Sequence, residues 1–173
     1  MEPHFEPAIV IDTREQLPYE FAGIPTTVGT LRAGDYSLVG FEDRVAVERK
    51  SKEDAYGVVG AGRDRFERCL RRLSELERAA VVIECSIEAF SEPPPRTKIS
   101  SQQAINSYLS WSCTYRIPVL WMPSRGWAER ATLKFLAAYL KHVAGANAGR
   151  ATGVTADQRE AGARLLVPKE GAR

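Results

Sequence analysis

The sequence predicts a single α/β domain with a mixed central β-sheet flanked by helices. Three observations carry this expectation. Short runs of apolar, β-branched residues alternate along the chain with longer stretches of 3.6-residue periodicity, the pattern of strands joined by helices. Two of the short runs are separated only by Gly40-Phe41-Glu42-Asp43, so one pair of strands forms a hairpin and the sheet is not wholly parallel. Finally, 173 residues with 44% hydrophobic and 27% charged side chains suit one globular core rather than a disordered or fibrous chain.

In chain order, residues 8–11 are apolar and β-branched and run into the polar segment 12–18, which reads as a strand ending in a loop. Residues 36–39 and 45–48 form the hairpin strands. Phe66, Leu70, Leu73 and Leu76, with Cys69 alongside, recur at helical spacing and predict an amphipathic helix over 63–78. Residues 81–83 read as a buried strand, and 92–98, with three consecutive prolines, as a loop. Ser100 and Gln103 have the spacing of a capping box, opening a helix to about residue 113. Residues 117–122 predict another buried strand. Residues 127–143 follow as a helix whose apolar face carries Ala131, Phe135, Leu136, Tyr139, Leu140 and Val143. From 145 the composition turns to Gly and Ala with scattered charge, so the expected division is a folded domain over 1–144 and a flexible tail over 145–173. The last apolar patch of that tail is Leu165-Leu166-Val167.

Composition excludes several classes. No 18-residue apolar run is present and the acidic N-terminal segment lacks a secretory pattern, so neither a membrane span nor an export signal is expected. Cys69, Cys85 and Cys113 are odd in number, widely spaced and without a CxxC pair. That argues against a disulfide scaffold or a zinc site and for a reducing, intracellular compartment: cytoplasm or nucleoid, or the nucleus in a eukaryote. With His4 and His142 as the only histidines, a zinc hydrolase or a His-centred triad has little to work with. The formal charge is +2, and five basic against three acidic side chains in 145–173 account for all of it. The first 144 residues are balanced, so local sorting of charge matters more than its sum.

The chemistry concentrates in residues 34–54. Along a strand over 45–50, Val45, Val47 and Arg49 face one way and Ala46, Glu48 and Lys50 the other. Pairing Val39 with Arg44 across the turn sets Asp35 opposite Glu48, whereas a one-residue slip separates them. Two carboxylates in that position repel by roughly a few tenths to ~1 kcal/mol, and a cation must offset this. Lys50 contributes from beside them, and two hard oxygen donors also suit Mg2+ or Mn2+. Such an ion binds a phosphodiester oxygen, activates a water and stabilises charge on phosphorus, with Lys50 orienting the water or neutralising that charge. Asp12, ending the first strand, completes an acidic wall if that strand neighbours the hairpin, and Glu15 is close enough to join from the loop. The plainer alternative is a solvated ion pair on an exposed hairpin.

These segments resemble a known family. IDTRE (11–15), LRAGDYSL (31–38) and VERKSKED (47–54) are similar to the nuclease domain of the XPF/Mus-type structure-selective DNA endonucleases. The signature of that family is GD, a variable gap, then ERK, three residues and D. Gly34, Asp35, Glu48, Arg49, Lys50 and Asp54 fill every fixed position. The resemblance continues through 62–76, which looks like the family's arginine-containing helix. VVIECS (81–86) is similar to its next core strand and 105–122 to its next helix–strand unit, so about residues 8–144 are covered. It implies a restriction-endonuclease-like fold of the PD-(D/E)xK type that cuts DNA with Mg2+ or Mn2+ and leaves a 5′-phosphate. On the same basis Asp35 and Glu48 are expected as metal ligands, Asp12 with them, and Lys50 as catalytic. Asp12, Glu15, Arg49 and Asp54 belong to the surrounding active site. One departure is the tandem helix-hairpin-helix module that usually follows, for which 145–173 are too few residues.

Basic groups suggest how DNA is held. Arg63, Arg65, Arg68, Arg71, Arg72 and Arg78 outnumber the acids around the first long helix. Arg63 and Arg65 follow Gly57, Gly60 and Gly62, a flexible approach suited to phosphate contact, while Arg14 either meets phosphate or pairs with Asp12 or Glu15. Nothing promises base readout, so backbone-dominated, salt-sensitive binding is expected. The leading expectation is an endonuclease acting on branched or flapped DNA in repair or recombination. A non-catalytic DNA-binding subunit and a Holliday-junction resolvase are the alternatives. A homodimer through helices 99–113 and 126–143 is also expected, which exposure of Trp111, Trp121 or Trp127 would mark.

Overall fold

In the computed structural model, residues 8–148 are described, with side chains as far as 143. The short apolar runs become strands β1 (Ile9–Asp12), β2 (Thr26–Gly29), β3 (Tyr36–Leu38), β4 (Val45–Lys50), β5 (Arg78–Ile83) and β6 (Val119–Trp121). They form one sheet in the order β2-β1-β3-β4-β5-β6. β3 runs antiparallel to both β1 and β4, while β2 joins β1, β5 joins β4 and β6 joins β5 in parallel. Tyr36 pairs with Val47, the register that sets Asp35 across from Glu48.

Alternation along β4 divides the core into two layers. Ala46 faces helices α1 (Lys52–Gly57), α2 (Arg63–Ser74) and α4 (Ser101–Tyr115), packing with Phe66, Leu70, Leu73, Tyr108 and Trp111. Val45 and Val47 face α5 (Arg125–Ala148), packing with Tyr36, Leu136, Tyr139 and Leu140. Burial of both sheet faces explains why β1, β4 and β5 read as nearly continuous apolar runs. The mixed sheet flanked by helices is as expected.

Several elements differ from the sequence reading. β2 went unread because it is an exposed edge strand: Val28 is 69% exposed, so no apolar alternation announces it. α1 and the short α3 (Ile87–Phe90) begin at serine caps, Ser51 and Ser86, each accepting a backbone N–H three residues on. The capping box at Ser100 forms as expected. α2 stops at Ser74 rather than 78 because Arg78 already pairs with Val45 in the sheet. β6 is a half-buried edge strand, not a buried one. α5 continues through 145–148, into the segment expected as tail; the remainder of that segment, with Leu165-Leu166-Val167, lies outside the described residues. The glycine-rich turn before α2 is a close-packed joint. Gly62 N–H donates to the Gly57 carbonyl, and a Cβ on Gly62 would lie 3.1 Å from Val58 Cα. No helix among the described residues is long and apolar enough to cross a membrane.

Candidate active site

The site forms where β1, β4 and β5 end and β3 begins. Gly34 makes the entry to β3 feasible. Its φ is +81°, and a Cβ there would meet Ala46 Cβ at 2.9 Å and the Val47 carbonyl at 3.1 Å, so no other residue fits. Asp35 follows, its N–H donating to the Val47 carbonyl at 2.9 Å and its Oδ2 accepting the Arg49 N–H at 2.7 Å. On the neighbouring strand Glu48 is 7% exposed and bonded to the Lys50 ammonium. Lys50 Nζ also donates to the Arg49 carbonyl at 3.2 Å and lies 5.3 Å from the Phe66 ring centroid. The two carboxylates therefore share one face of the sheet with a single ammonium.

Burial, then the charge of Glu48, raise the Asp35 pKa from 3.8 to about 7. For Lys50, burial works against the charge, but Glu48 and Asp35 outweigh it and the pKa is raised, so the ammonium persists. Cys69 Sγ lies 3.4 Å from Glu48 Oε2, and burial with that carboxylate pushes the thiol up to about 12. It is a neutral wall of the site rather than a nucleophile.

Asp12 lies beside this pair, its N–H donating to the Asp35 carbonyl at 2.8 Å. Its carboxylate is occupied, however. Oδ1 accepts from Arg14 N–H at 2.9 Å and Arg14 Nε at 2.6 Å, and Oδ2 from Leu31 N–H at 2.7 Å and Arg14 Nη2 at 3.0 Å. Burial opposes the charge, but these bonds prevail and its pKa is lowered. Arg49 and Glu15 pair on the opposite face of the sheet, Nε to Oε2 at 2.9 Å, with Glu84 on the far side of the guanidinium at 3.1 Å. Asp54 sits on α1, accepting the Ser51 hydroxyl at 2.9 Å.

A cleft of about 750 Å³ opens over Asp35, Glu48 and Lys50. Glu15, Arg49 and Asp54 also line it, whereas Asp12 does not. Its charges are even in number, five carboxylates and five cations, but sorted in space. Asp35, Glu48 and Lys50 are half-buried or buried, while Arg14 and Arg65 are exposed at the mouth. Arg14 keeps 62% of its side chain exposed despite its bond to Asp12. Arg63 behaves differently: it pairs with Glu67 at 3.0 Å and stacks 4.9 Å over Trp111, away from the cleft lining. Sequence reasoning missed Cys69 and Arg72 as lining residues. Their spacing from Arg65, one and two turns along α2, is the signal that identifies them.

Among the described residues no group of three or more His, Cys, Asp and Glu side chains converges as a full ligand cage would. Mg2+ keeps several waters and takes only one or two carboxylates. Half-buried Asp35 and buried Glu48, with one ammonium for two carboxylates, are a donor set that fits such an ion. Of the three tryptophans, Trp111 is buried, Trp121 half-buried, and only Trp127 is well exposed, at 55%.

Solved structures of XPF from Aeropyrum pernix share the fold. One matches with a TM-score of 0.62 and 18% identity over 76% of this chain and 61% of that chain. A second, determined in complex with DNA, matches with a TM-score of 0.61 and 20% identity over 79% and 66% respectively. The chain thus spans a little under two thirds of those proteins. No curated protein sequence matches it. The ERCC4 domain family matches residues 11–134, from the end of β1 into α5, and the chain belongs to that family of XPF-type nuclease domains.

Proposed function

We propose that this domain is a metal-dependent DNA endonuclease. The observation that carries the reading is the cleft over Asp35, Glu48 and Lys50, in which a half-buried and a buried carboxylate and one ammonium lie behind an exposed arginine rim. Asp35 and Glu48 would hold Mg2+ or Mn2+, which when bound supplies Lewis acidity to the scissile phosphate and its attacking water. Lys50 holds its proton beside Glu48 and neutralises charge as it grows on the phosphate. Arg14, Arg65 and Arg72 take flanking phosphates, which fixes the strand without reading its sequence. Asp12 is assigned to holding Arg14 and the Leu31 amide in place rather than to the ion, because the protein already fills its oxygens. Asp54 is assigned to holding the Ser51 cap of α1 at the cleft wall.

The preferred substrate is proposed to be branched or flapped DNA met in repair or recombination, since the arginine rim suits backbone contact. Exposed Leu109 and Trp127 support a homodimer through α4 and α5, and a monomeric mass by light scattering would refute it. The test of activity uses labelled flap, fork and duplex DNA with Mg2+ or Mn2+. Cleavage is expected, abolished by chelation and reduced at least about 100-fold in Asp35→Ala. Cleavage that survives Asp35→Ala overturns the assignment of that carboxylate. Binding without cleavage favours a DNA-binding subunit.

A further inference from the structure

Arg49 stands between two residues of the site, yet its side chain points through to the other face of the sheet. There it meets carboxylates from two separate segments, and one of them reaches on to a third. Glu15, in the loop after β1, accepts from Nε and Nη2 at 2.9 and 3.1 Å. Glu84, just past β5, lies 3.1 Å from Nη1. The other oxygen of Glu84 lies 2.8 Å from Arg125 at the start of α5. Arg125 in turn donates to the carbonyls of Leu17 and Pro18 and lies 4.8 Å over the Tyr19 ring. Arg49, Glu15 and Glu84 are only 5–11% exposed in their side chains, so the chain of ion pairs is dry at its centre.

Glu15 and Arg49 border the cleft, and the backbone ties the network to Asp35 and Lys50 at two points. The Arg49 N–H is the donor to Asp35 Oδ2, and the Glu84 N–H donates to the Lys50 carbonyl at 2.9 Å. A third link runs from Tyr19, whose N–H donates to the Tyr36 hydroxyl, Tyr36 being the residue after Asp35. We infer that Glu84, braced by Arg125, is a positioning residue: it fixes Arg49 from behind so that the Arg49 amide and the Lys50 backbone hold Asp35 and Lys50 at their working spacing. The inference deepens the proposed nuclease reading and rests on it. Support behind a ligand matters because a carboxylate free to turn loses both the ion and its alignment. A contrasting ion pair occupies the other end of the same strands. Arg44 and Glu77 are each more than two fifths exposed, and their pairing reaches no residue of the cleft.

The experiment compares wild type, Glu84→Gln, Arg125→Gln and Arg44→Gln, each as the full chain. Mn2+ is titrated against melting temperature and against single-turnover cleavage of a labelled flap. Glu84→Gln should raise the Mn2+ midpoint by about 10-fold or more and slow cleavage by a similar factor, with the half-saturating DNA concentration unchanged. Arg125→Gln, which removes only the outer brace, should move both in the same direction by less, and serves if Glu84→Gln does not fold. Arg44→Gln should leave the midpoint alone. A Glu84→Gln protein that melts earlier but keeps the wild-type midpoint and rate makes the network a plain structural staple and overturns the inference. An equal shift in Arg44→Gln overturns it too, by showing general loosening. If wild type itself shows neither a Mn2+ shift nor cleavage, the nuclease reading fails, and this inference with it.

Discussion

The two faces of β4 at its C-terminal end differ in one respect that separates a site from a scaffold. On the face of Val45 and Val47, Arg49 and Arg125 meet Glu15 and Glu84, two cations with two carboxylates, and the charges close on themselves. On the face of Ala46, Asp35 and Glu48 share one ammonium, and Asp35 is left with its pKa raised to about 7. Both faces are largely dry, so dryness alone does not mark function. An unbalanced buried charge does, because the fold keeps it at a cost to stability and something outside the fold must complete it.

Breaking the balanced face should cost the most stability. Arg49→Met leaves Glu15 and Glu84 buried without their common partner and should destabilise the domain by about 3 kcal/mol or more, read by denaturant unfolding. A loss below about 1 kcal/mol would mean the network is better solvated than its burial indicates.

The unbalanced face should respond in the opposite sense. Asp35→Asn keeps an acceptor for the Arg49 amide but removes the repulsion, so at pH 8 without metal it should raise the melting temperature by about 2–4 °C while abolishing cleavage. The sign with pH follows from the same shift. The Asp35 carboxyl holds its proton more tightly folded than unfolded, so its penalty is absent below 3.8, grows as pH rises, and is fully in force above about 7. Glu15 behaves conversely. Burial opposes its charge, but the Arg49 bonds win and the pKa is lowered, so its contribution is present above 4.5 and lost as pH falls through the folded value. Between them these two groups place maximum stability of the metal-free protein near about pH 4–5. A melting curve that keeps rising from pH 5 to 8 would contradict the unbalanced face, and Asp35→Asn should flatten the fall that is expected there.

The smallest effects sharpen where the cleft ends. Arg65→Ala and Arg72→Ala should each lower the slope of log affinity against log salt by about one unit. Arg63→Ala should change it little, because its guanidinium is already spent on Glu67 and Trp111. Equal losses at all three positions would extend the DNA-binding surface along α2 toward α4.

Much of the candidate site was legible because it is local. Gly34, Asp35, Glu48 and Lys50 belong to one hairpin, and a tight turn with alternating side chains leaves few registers. What escaped reading depends on strands and helices meeting from afar. The sequence leaves Arg14 to pair with Asp12 or to meet phosphate, and the Leu31 amide that helps fix Asp12 comes from a loop nineteen residues on. Arg63 reads as a phosphate ligand until α4 brings Trp111 beneath it. β2, with its one exposed valine, carries no pattern to read at all.

The sequence by itself therefore determined the hairpin, the capping box at Ser100 and the placing of two carboxylates and a lysine on one strand pair. Each follows from short-range stereochemistry and the twofold alternation of a strand. Only the tertiary structure decided which carboxylates stay uncompensated. That depends on which cation reaches which acid once the layers close: Arg49 between Glu15 and Glu84, Arg125 on Glu84, and Lys50 alone for Asp35 and Glu48. Charge compensation in a dry interior is a matter of ångströms between distant segments, and no spacing along the chain records it.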